Sequence, residues 1–199
     1  MPQPVLTTER LRLDPLADDH LELEVALDGD PEVLRFLRGR ARSRDEVVAS
    51  HAERMAHGRR VDGLGFWAAT THDGDPVGLM MLPPAHGPDQ PDDPTVCDLG
   101  YRLFRRQWGR GYATEASRAL LDHAFGTVGQ RLVIAQTMAV NAGSRAVMER
   151  LGMRYVRTFH GDVDEPLPGA EEGEVEYAVT RAEWLTGRPQ DADGPRATR

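Results

Sequence analysis

The segment 102–116, RLFRRQWGRGYATEA, combines residue types that could bind an anion. Gly109 and Gly111 allow a tight backbone turn that directs consecutive N–H groups to one point, and the helical pattern behind them adds the positive end of a helix dipole. Four arginines lie close together in this segment, namely Arg102, Arg105, Arg106 and Arg110. This local excess of positive charge predicts a site for a ligand with several phosphates.

Three interpretations of this glycine turn are open. A plain strand-to-helix turn with surface arginines needs no ligand. A dinucleotide-binding fingerprint is disfavoured because position 114 is Thr and the next strand offers Gln136 and Thr137 where an acidic residue is expected. The third interpretation, a phosphate loop for coenzyme A, follows from the family resemblance given below.

The composition excludes several enzyme classes. All 24 basic residues among the 199 are arginines, so the chain has neither the lysine of a Walker A loop nor one that could hold pyridoxal phosphate. The net charge of -8 argues against a nucleic-acid binder and predicts a cationic or amine-bearing partner. The single cysteine, Cys97, permits no internal disulfide and favours a reducing cytoplasm.

Neither a membrane nor a metal site is expected. No segment approaches the ~18 apolar residues that cross a bilayer, and the N-terminus lacks the pattern of a secretory signal. The chain has no HExxH motif, and His51 and His57 lie on different faces of their helix. The acidic run at 160–165 resembles a solvated loop more than a site for a divalent ion.

Hydrophobic periodicity predicts the elements that must position the glycine turn. Strands are expected at 9–14, 65–71, 76–82, 96–104, 131–138, 153–160 and 175–180. Helices are expected at 18–27, 31–37, 43–58, 113–125 and 144–151. In the helix that Ser43 caps, four side chains should face inward: Val47, Val48, Ala52 and Met55.

The order of these elements predicts one domain at 1–185 with a mixed, mostly antiparallel α/β (α+β) sheet. The Asp73-Gly74 turn makes the strands on either side of it antiparallel neighbours. Residues 83–94 are rich in Pro and Asp and form an exposed loop. Residues 186–199 are polar and rich in Pro, Gly and Asp, which predicts a disordered tail.

The turn WGRGYATEA at 108–116 resembles the pyrophosphate-binding loop of the GNAT acyltransferases. The family pattern, Gln/Arg-x-x-Gly-x-Gly/Ala, maps onto Trp108, Gly111 and Ala113, and Trp at the first position is typical of the RimJ/RimL-like branch. The opening TERLRLDPL, the segment from Asn141 to Gly152 and the ending YAVTRAEW match the branch in the same order.

The resemblance implies acetyl transfer from acetyl-CoA to an amine, on a sheet of about seven strands that splays into a V. The splay should lie between the strand that carries Leu103 and the strand around Gln136–Met138. Amides near Leu103 and Phe104 would hold the thioester carbonyl. The implied coenzyme A residues are Leu103, Phe104, Arg106, Trp108, Gly109, Arg110, Gly111, Tyr112, Ala113, Thr114, Asn141 and Ser144.

The sequence leaves several candidates for the catalytic acid and base. Many relatives use a tyrosine seven residues after the motif Asn, but Met148 stands there, so Ser144 becomes the candidate proton donor, although Asn141 and Ser144 also suit an ordinary helix start. Candidate bases are Glu115, Glu176 and His160, none with a distinctive spacing. Glu115 could simply stabilise its helix end, and Glu176 could be an outward residue of an edge strand.

The acceptor could be a protein N-terminal α-amine or a small-molecule amine. Two alternatives stay open: transfer of a larger acyl group such as succinyl, or a coenzyme A-binding protein without catalysis. Relatives of this branch also suggest a homodimer.

Overall fold

The computed structural model describes residues 2–161 and 166–187. Most of the tail expected at 186–199 therefore lies outside the described residues, as do the acidic residues 162–165. Within the described part the last helix ends at Thr186, so the C-terminal pattern forms ordered structure as far as that residue.

Nine strands occur in the described part of the chain. They are β1 (Leu6–Thr7), β2 (Leu11–Pro15), β3 (Gly65–Thr71), β4 (Pro76–Leu82), β5 (Val96–Asp98), β6 (Gly100–Leu103), β7 (Leu132–Met138), β8 (Arg154–Phe159) and β9 (Glu174–Thr180). The α-helices are α1 (Leu21–Asp28), α2 (Arg44–Gly58), α3 (Tyr112–Asp122), α4 (Ala142–Arg150) and α5 (Arg181–Thr186). A π-helical segment, His123–Val128, continues α3.

The strands form two sheets. The first has the order β1-β2-β3-β4-β6 and is antiparallel throughout, which includes the expected β3–β4 hairpin. The second has the order β5-β7-β9-β8, in which β5 and β7 are parallel and the other neighbours antiparallel. The predicted mixed α/β class is confirmed.

The predicted strand 96–104 is divided between the two sheets at Leu99. Its first part, β5, pairs with β7 as far as Asp98, and the Leu99 amide donates to the Ile134 carbonyl at 2.8 Å. From Gly100 onward the chain pairs with β4 instead. A Cβ at Gly100 would lie 2.6 Å from the Met81 methyl, so a side chain there would displace Met81 and disturb this pairing. The two sheets therefore part at 98–100, which is the predicted splay.

Apolar side chains pack on both faces of the first sheet. One cluster, which includes Leu103 and Leu120, lies on the side of α3 and α4. A second, which includes Leu27 and Phe66, lies on the side of α1 and α2. Each face of the first sheet is therefore covered by its own layer of helices.

Two expectations on the α1–α2 side are wrong. Residues 31–37 form consecutive turns rather than a helix, since only isolated bonds close there, such as Leu37 N–H to the Leu34 carbonyl at 2.9 Å. A seven-residue helix is too short to be stable without strong packing. Ser43 does cap α2, and Val47 is buried, but Val48 and Ala52 face solvent because the buried stripe is narrower than predicted.

Candidate active site

The glycine turn presents free backbone amides at the start of α3. Gly109 has φ 72° and Gly111 has φ 80°, conformations that residues with a side chain rarely adopt. No side chain in the described part caps α3, whose first residue is Tyr112. The amides of Tyr112, Ala113 and Thr114 therefore lack helical partners, and the arrangement fits the pyrophosphate of coenzyme A.

Arginines surround this turn and are held by aromatic rings. The Arg106 guanidinium lies 4.5 Å from the Phe104 ring centroid, and that of Arg110 lies 5.1 Å from the ring of Tyr112. Arg10, which the sequence did not indicate, lies 4.7 Å from the same Tyr112 ring and donates to the Arg110 carbonyl at 3.0 Å. These three cations lie around the glycine turn, and Arg10 is also paired with Glu115.

Arg102 does not join this group, and its predicted place among the phosphate-binding arginines is wrong. It lies in β6, where side chains alternate between the two faces of the sheet. Leu103 therefore faces α3, whereas Arg102 is buried beside Asp28 at the end of α1, with 2.7 Å between Nη1 and Oδ1. Arg102 is thus close in sequence to the arginines of the glycine turn but lies on the opposite face of the sheet.

The amides of Tyr101 and Leu103 point away from β4, because β6 is the edge strand of the first sheet. The Phe104 N–H donates to the Val77 carbonyl at 3.1 Å, so its predicted role as a donor to the thioester is wrong because the amide is already bonded. That bond makes Leu103 and Gly78 a non-hydrogen-bonded pair, and the polar groups of Leu103 point away from β4. The Leu103 carbonyl accepts from the Trp108 indole at 2.8 Å, which ties the glycine turn to the splay.

Ser144 and Asn141 lie at the start of α4, opposite β6. The Asn141 side chain accepts from the Ser144 amide at 3.2 Å and donates to the Thr137 hydroxyl at 3.0 Å. The Ser144 hydroxyl lies 3.1 Å from the Tyr101 hydroxyl. Burial raises the pKa of Tyr101 to about 12, although its bond to Ser144 lowers that pKa in part. Tyr101 therefore stays protonated and donates to the Ser144 carbonyl at 3.0 Å, a pairing that no sequence pattern indicates.

Glu115 is occupied by contacts with the first two strands. Its carboxylate accepts from the Thr8 hydroxyl at 2.6 Å, from the Arg10 amide at 2.9 Å and from the Arg10 guanidinium. Partial burial would raise the pKa of Glu115, but the bonds from Thr8 and Arg10 outweigh it and lower that pKa. The carboxylate joins the β1–β2 hairpin to α3 and faces the phosphate side of the molecule.

Glu176 belongs to a chain of polar side chains that runs along the second sheet from β9 through β7 to β5. The Gln136 amide donates to Glu176 at 2.8 Å, and Arg157 donates to the same carboxylate at 3.1 Å. Gln90 in turn donates to the Gln136 amide oxygen at 3.1 Å and to the Asp98 carboxylate at 3.0 Å. Glu176 is thus linked through two glutamines to Asp98.

Asp98 stands at the point where the sheets part, and the sequence analysis missed it. Burial raises the pKa of Asp98 to about 6; Glu176 also raises it, whereas Gln90 and His86 lower it. A carboxylate with such a pKa is a suitable general base near neutral pH. The feature that could have indicated Asp98 is its position one residue before the break between β5 and β6.

The remaining candidates lie elsewhere. His160 is exposed and its Nε2 lies 3.2 Å from the Glu171 carbonyl, away from the splay. Cys97 is buried, and burial raises its pKa to about 12, so it is not a nucleophile. The described residues contain no group of His, Cys, Asp or Glu that could hold a metal, and none of their helices could span a membrane.

A cleft opens on the α1–α2 face, opposite the glycine turn. Its larger cavity, about 830 Å³, is lined by α2, by the turns at 34–42 and by the outer side of β3, β4 and β6. A smaller cavity of about 220 Å³ continues inward to Asp98 and Gly100. The base candidate therefore lies at the inner end of a cleft of the size that binds small molecules.

The comparisons with known proteins agree with this geometry. Residues 10–154 match the family model described as an acetyltransferase (GNAT) domain. The chain is 40% identical over 186 residues to the FsC-acetyl coenzyme A-N(2)-transacetylase of Aspergillus fumigatus, which covers 92% of this chain and 79% of that protein.

Solved structures share the fold. The RimL ribosomal L7/L12 α-N-protein acetyltransferase in complex with coenzyme A has a TM-score of 0.72 at 17% identity, covering 89% of this chain and 98% of that one. The spermidine N-acetyltransferase from Vibrio cholerae with CoA and spermine has a TM-score of 0.71 at 13% identity, covering 88% and 98%. The chain belongs to the GNAT acetyltransferase family, in its RimJ/RimL-like branch.

Proposed function

We propose that this enzyme transfers the acetyl group of acetyl-CoA to the α-amine of a small molecule. Two observations support a small acceptor. The cleft that ends at Asp98 has a ligand-sized cavity of about 830 Å³. The Aspergillus relative carries N(2)-transacetylase in its name, and N2 of an amino-acid unit is its α-amine.

The phosphate side of the site consists of the glycine turn with the arginines around it. Acetyl-CoA supplies the activated acetyl group, and the amides of residues 112–114 would hold its pyrophosphate. Gly109 has no atom within 4 Å of where its Cβ would lie, so the backbone can approach a phosphate there. Arg10, Arg106 and Arg110 add charge to this surface.

The observation that carries the proposal is the position of Asp98 at the splay. Above pH about 6 its carboxylate is ionised and can take the proton that the attacking amine must lose. An α-amine titrates near ~8, well below a lysine amine near ~10.4, so a positioned carboxylate with a pKa of about 6 can accept its proton near neutral pH. Glu176 is a positioning residue: it is linked to Asp98 through Gln136 and Gln90, and these hydrogen bonds orient the Asp98 carboxylate.

Groups on the other side of the splay serve the leaving thiolate. The Leu103 amide, which points away from β4, would donate to the thioester oxygen as it gains charge, an effect worth about 3 kcal/mol in comparable sites. The Ser144 hydroxyl would donate a proton to the departing sulfur and regain one from solvent, and the Tyr101 hydroxyl, which donates to the Ser144 carbonyl at 3.0 Å and lies 3.1 Å from the Ser144 hydroxyl, would hold it in place. Asn141 fixes Ser144 by bonding its amide.

The test is free-thiol release from acetyl-CoA with a panel of α-amines. We expect turnover with small α-amines and a slower reaction with longer peptides, because the acceptor cleft is bounded. Succinyl-CoA, assayed in parallel, determines which acyl length is used. If coenzyme A binds but no acceptor promotes thiol release, the catalytic proposal is wrong and the non-catalytic alternative holds.

A further inference from the structure

The wall of the acceptor cleft is cationic, although the whole chain carries a net charge of -8. Five arginines line the larger cavity: Arg38, Arg42, Arg54, Arg60 and Arg102. Among the described residues that line it, Glu53 is the one carboxylate. This surface does not suit the cationic acceptor that the net charge predicts, because like charges would meet in a confined space.

The inner arginines share too few carboxylates. Asp28 lies 3.4 Å from the guanidiniums of Arg42 and Arg54 and 2.7 Å from that of Arg102. Glu24 forms a close pair with Arg54. Two buried carboxylates thus face three arginines, and one positive charge is left over at the cleft wall.

The hydrogen bonds show the same excess of donors. The Nε groups of Arg42 and Arg102 are buried and have no hydrogen-bond partner among the described residues. The contact of Arg102 with Asp28 is an ion pair without an aligned hydrogen bond at Oδ1. Burial, together with the charge of Arg54, lowers the pKa of Arg102 to about 10, although Asp28 and Glu24 raise it in part. An anion in the cleft would relieve this uncompensated charge.

Arg54 extends this charge into the smaller cavity. It lines the larger cavity and also the smaller cavity of about 220 Å³ that ends at Asp98. Nearer the mouth, Arg38 and Arg60 are exposed, and neither forms an ion pair with any carboxylate of the described ranges 2–161 and 166–187. A small molecule can therefore reach Asp98 with one end and an arginine with the other.

We infer that the acceptor is an amine that also carries a carboxylate, which Arg38 and Arg60 bind near the mouth of the cleft while Asp98 receives the proton of the amine and the inner arginines add to the attraction. The inference rests on the proposed acetyl transfer and specifies its substrate class. A guanidinium binds a carboxylate through two parallel hydrogen bonds, which fixes the acceptor's orientation as well as its charge. The apolar wall formed by Leu34, Leu37, Phe66 and Met81 would receive an aliphatic side chain.

Direct binding tests the inference without requiring turnover. Calorimetric titration of the coenzyme A-loaded protein compares the dipeptide leucyl-alanine with its C-terminal amide, which has the same α-amine and lacks only the carboxylate. We expect the free carboxylate form to bind about tenfold more tightly. Weaker or equal binding of that form, including failure of both peptides to bind, overturns the inference.

Variants then locate the preference. The double variant Arg38→Gln/Arg60→Gln removes the two exposed arginines of the cleft and leaves the buried carboxylates paired, so we expect it to fold. The control Arg35→Gln/Arg59→Gln removes two exposed arginines that do not line the cavity and changes the net charge equally. The tenfold preference should fall to about twofold in the first variant and persist in the control.

Each result separates this inference from the proposed function. A preference that survives in Arg38→Gln/Arg60→Gln means that the carboxylate binds elsewhere, and the inference is wrong. Tight, arginine-dependent binding without thiol release would uphold the inference and contradict acetyl transfer. Thiol release that is equally fast with the two peptides, at equal binding, would uphold transfer and contradict the inference.

Discussion

The glycine turn and the acceptor cleft both use arginine, but they are built in different ways. At the turn, Arg106 and Arg110 lie within five residues of each other, are exposed and stack on aromatic rings. In the cleft, Arg42, Arg54 and Arg102 come from three distant segments and are buried against shared carboxylates. The glycine turn is a phosphate-binding arrangement formed by residues that are neighbours in the sequence. The cleft arginines come together only when the chain folds.

The difference matters for energetics. Exposed arginines at the turn are screened by water and contribute little to stability until a phosphate arrives. In the cleft, Glu24 and Asp28 must stay paired with these arginines at all times, because an uncompensated buried charge is costly, and only the charge left over is available to an anion. We therefore expect substitutions in the cleft to affect folding and acceptor binding together, and substitutions at the turn to affect binding alone.

The largest expected effect concerns the base where the two regions meet. Asp98→Asn should lower kcat/KM about 1000-fold, because proton removal by a positioned base is lost. In the wild type, kcat/KM should fall as the pH drops through about 6, where Asp98 becomes protonated. The pH profile of thiol release measures both effects. An unchanged profile in the variant would remove Asp98 from the reaction.

The same substitution has a signed effect on stability. The pKa of Asp98 is raised in the folded state, so its ionisation opposes folding as the pH rises from about 4 through about 6. Asp98→Asn should therefore raise the free energy of unfolding by about 3 kcal/mol at pH 8 and leave it unchanged at pH 3. Urea unfolding at the two pH values checks this. Equal effects at both would mean that the carboxylate is not desolvated.

The next effect tests the buried network of the cleft. Arg54→Gln leaves Glu24 buried beside one cation fewer, and we expect a loss of about 3 kcal/mol in the free energy of unfolding. The matched control is Arg44→Gln, which breaks the exposed pair with Glu22 and should leave the unfolding midpoint unchanged. Equal stability of the two variants would contradict the distinction between the regions.

The third effect isolates the turn. Gly111→Glu adds a carboxylate where phosphate must approach and should weaken coenzyme A binding about 100-fold. Gly129 has a similar φ of 83° and lies after the π-helical segment, away from the turn. Gly129→Glu therefore imposes the same backbone strain and should retain coenzyme A affinity, as measured by titration. Comparable losses in the two variants would point to strain instead of the phosphate site.

The smallest effect concerns the leaving group. Ser144→Ala should lower kcat about tenfold without changing the affinity for coenzyme A, since only the proton donor is lost. Tyr101→Phe removes the hydroxyl 3.1 Å from Ser144 and should have a similar, smaller effect. Steady-state kinetics at several pH values measure both. Full activity of Ser144→Ala would exclude it as the donor.

The sequence predicted what depends on neighbouring residues. The glycine turn, the capping box at Ser43 and the β3–β4 hairpin could be predicted because each is determined within a few residues. The division of 96–104 at Leu99 could not, since it depends on competing partners in β4 and β7. The predicted homodimer stays a prediction, and sedimentation of the purified protein would test it.

Arg102 shows why the remaining site was missed. In the sequence it stands beside other arginines and was grouped with them. In the structure, strand alternation turns it to the opposite face, where it meets Asp28 from a helix some 70 residues earlier in the chain. The net charge of -8 predicts an amine-bearing partner, but it does not indicate the arginines that folding brings together along the cleft.

The central claim is that the turn and the cleft bind different substrates by separate sets of arginines. The most direct measurement is steady-state thiol release by Arg38→Gln/Arg60→Gln, with acetyl-CoA and leucyl-alanine varied independently. The account predicts that KM for leucyl-alanine rises about fivefold or more while KM for acetyl-CoA stays at the wild-type value. A rise in KM for acetyl-CoA, or an unchanged KM for leucyl-alanine, would contradict it.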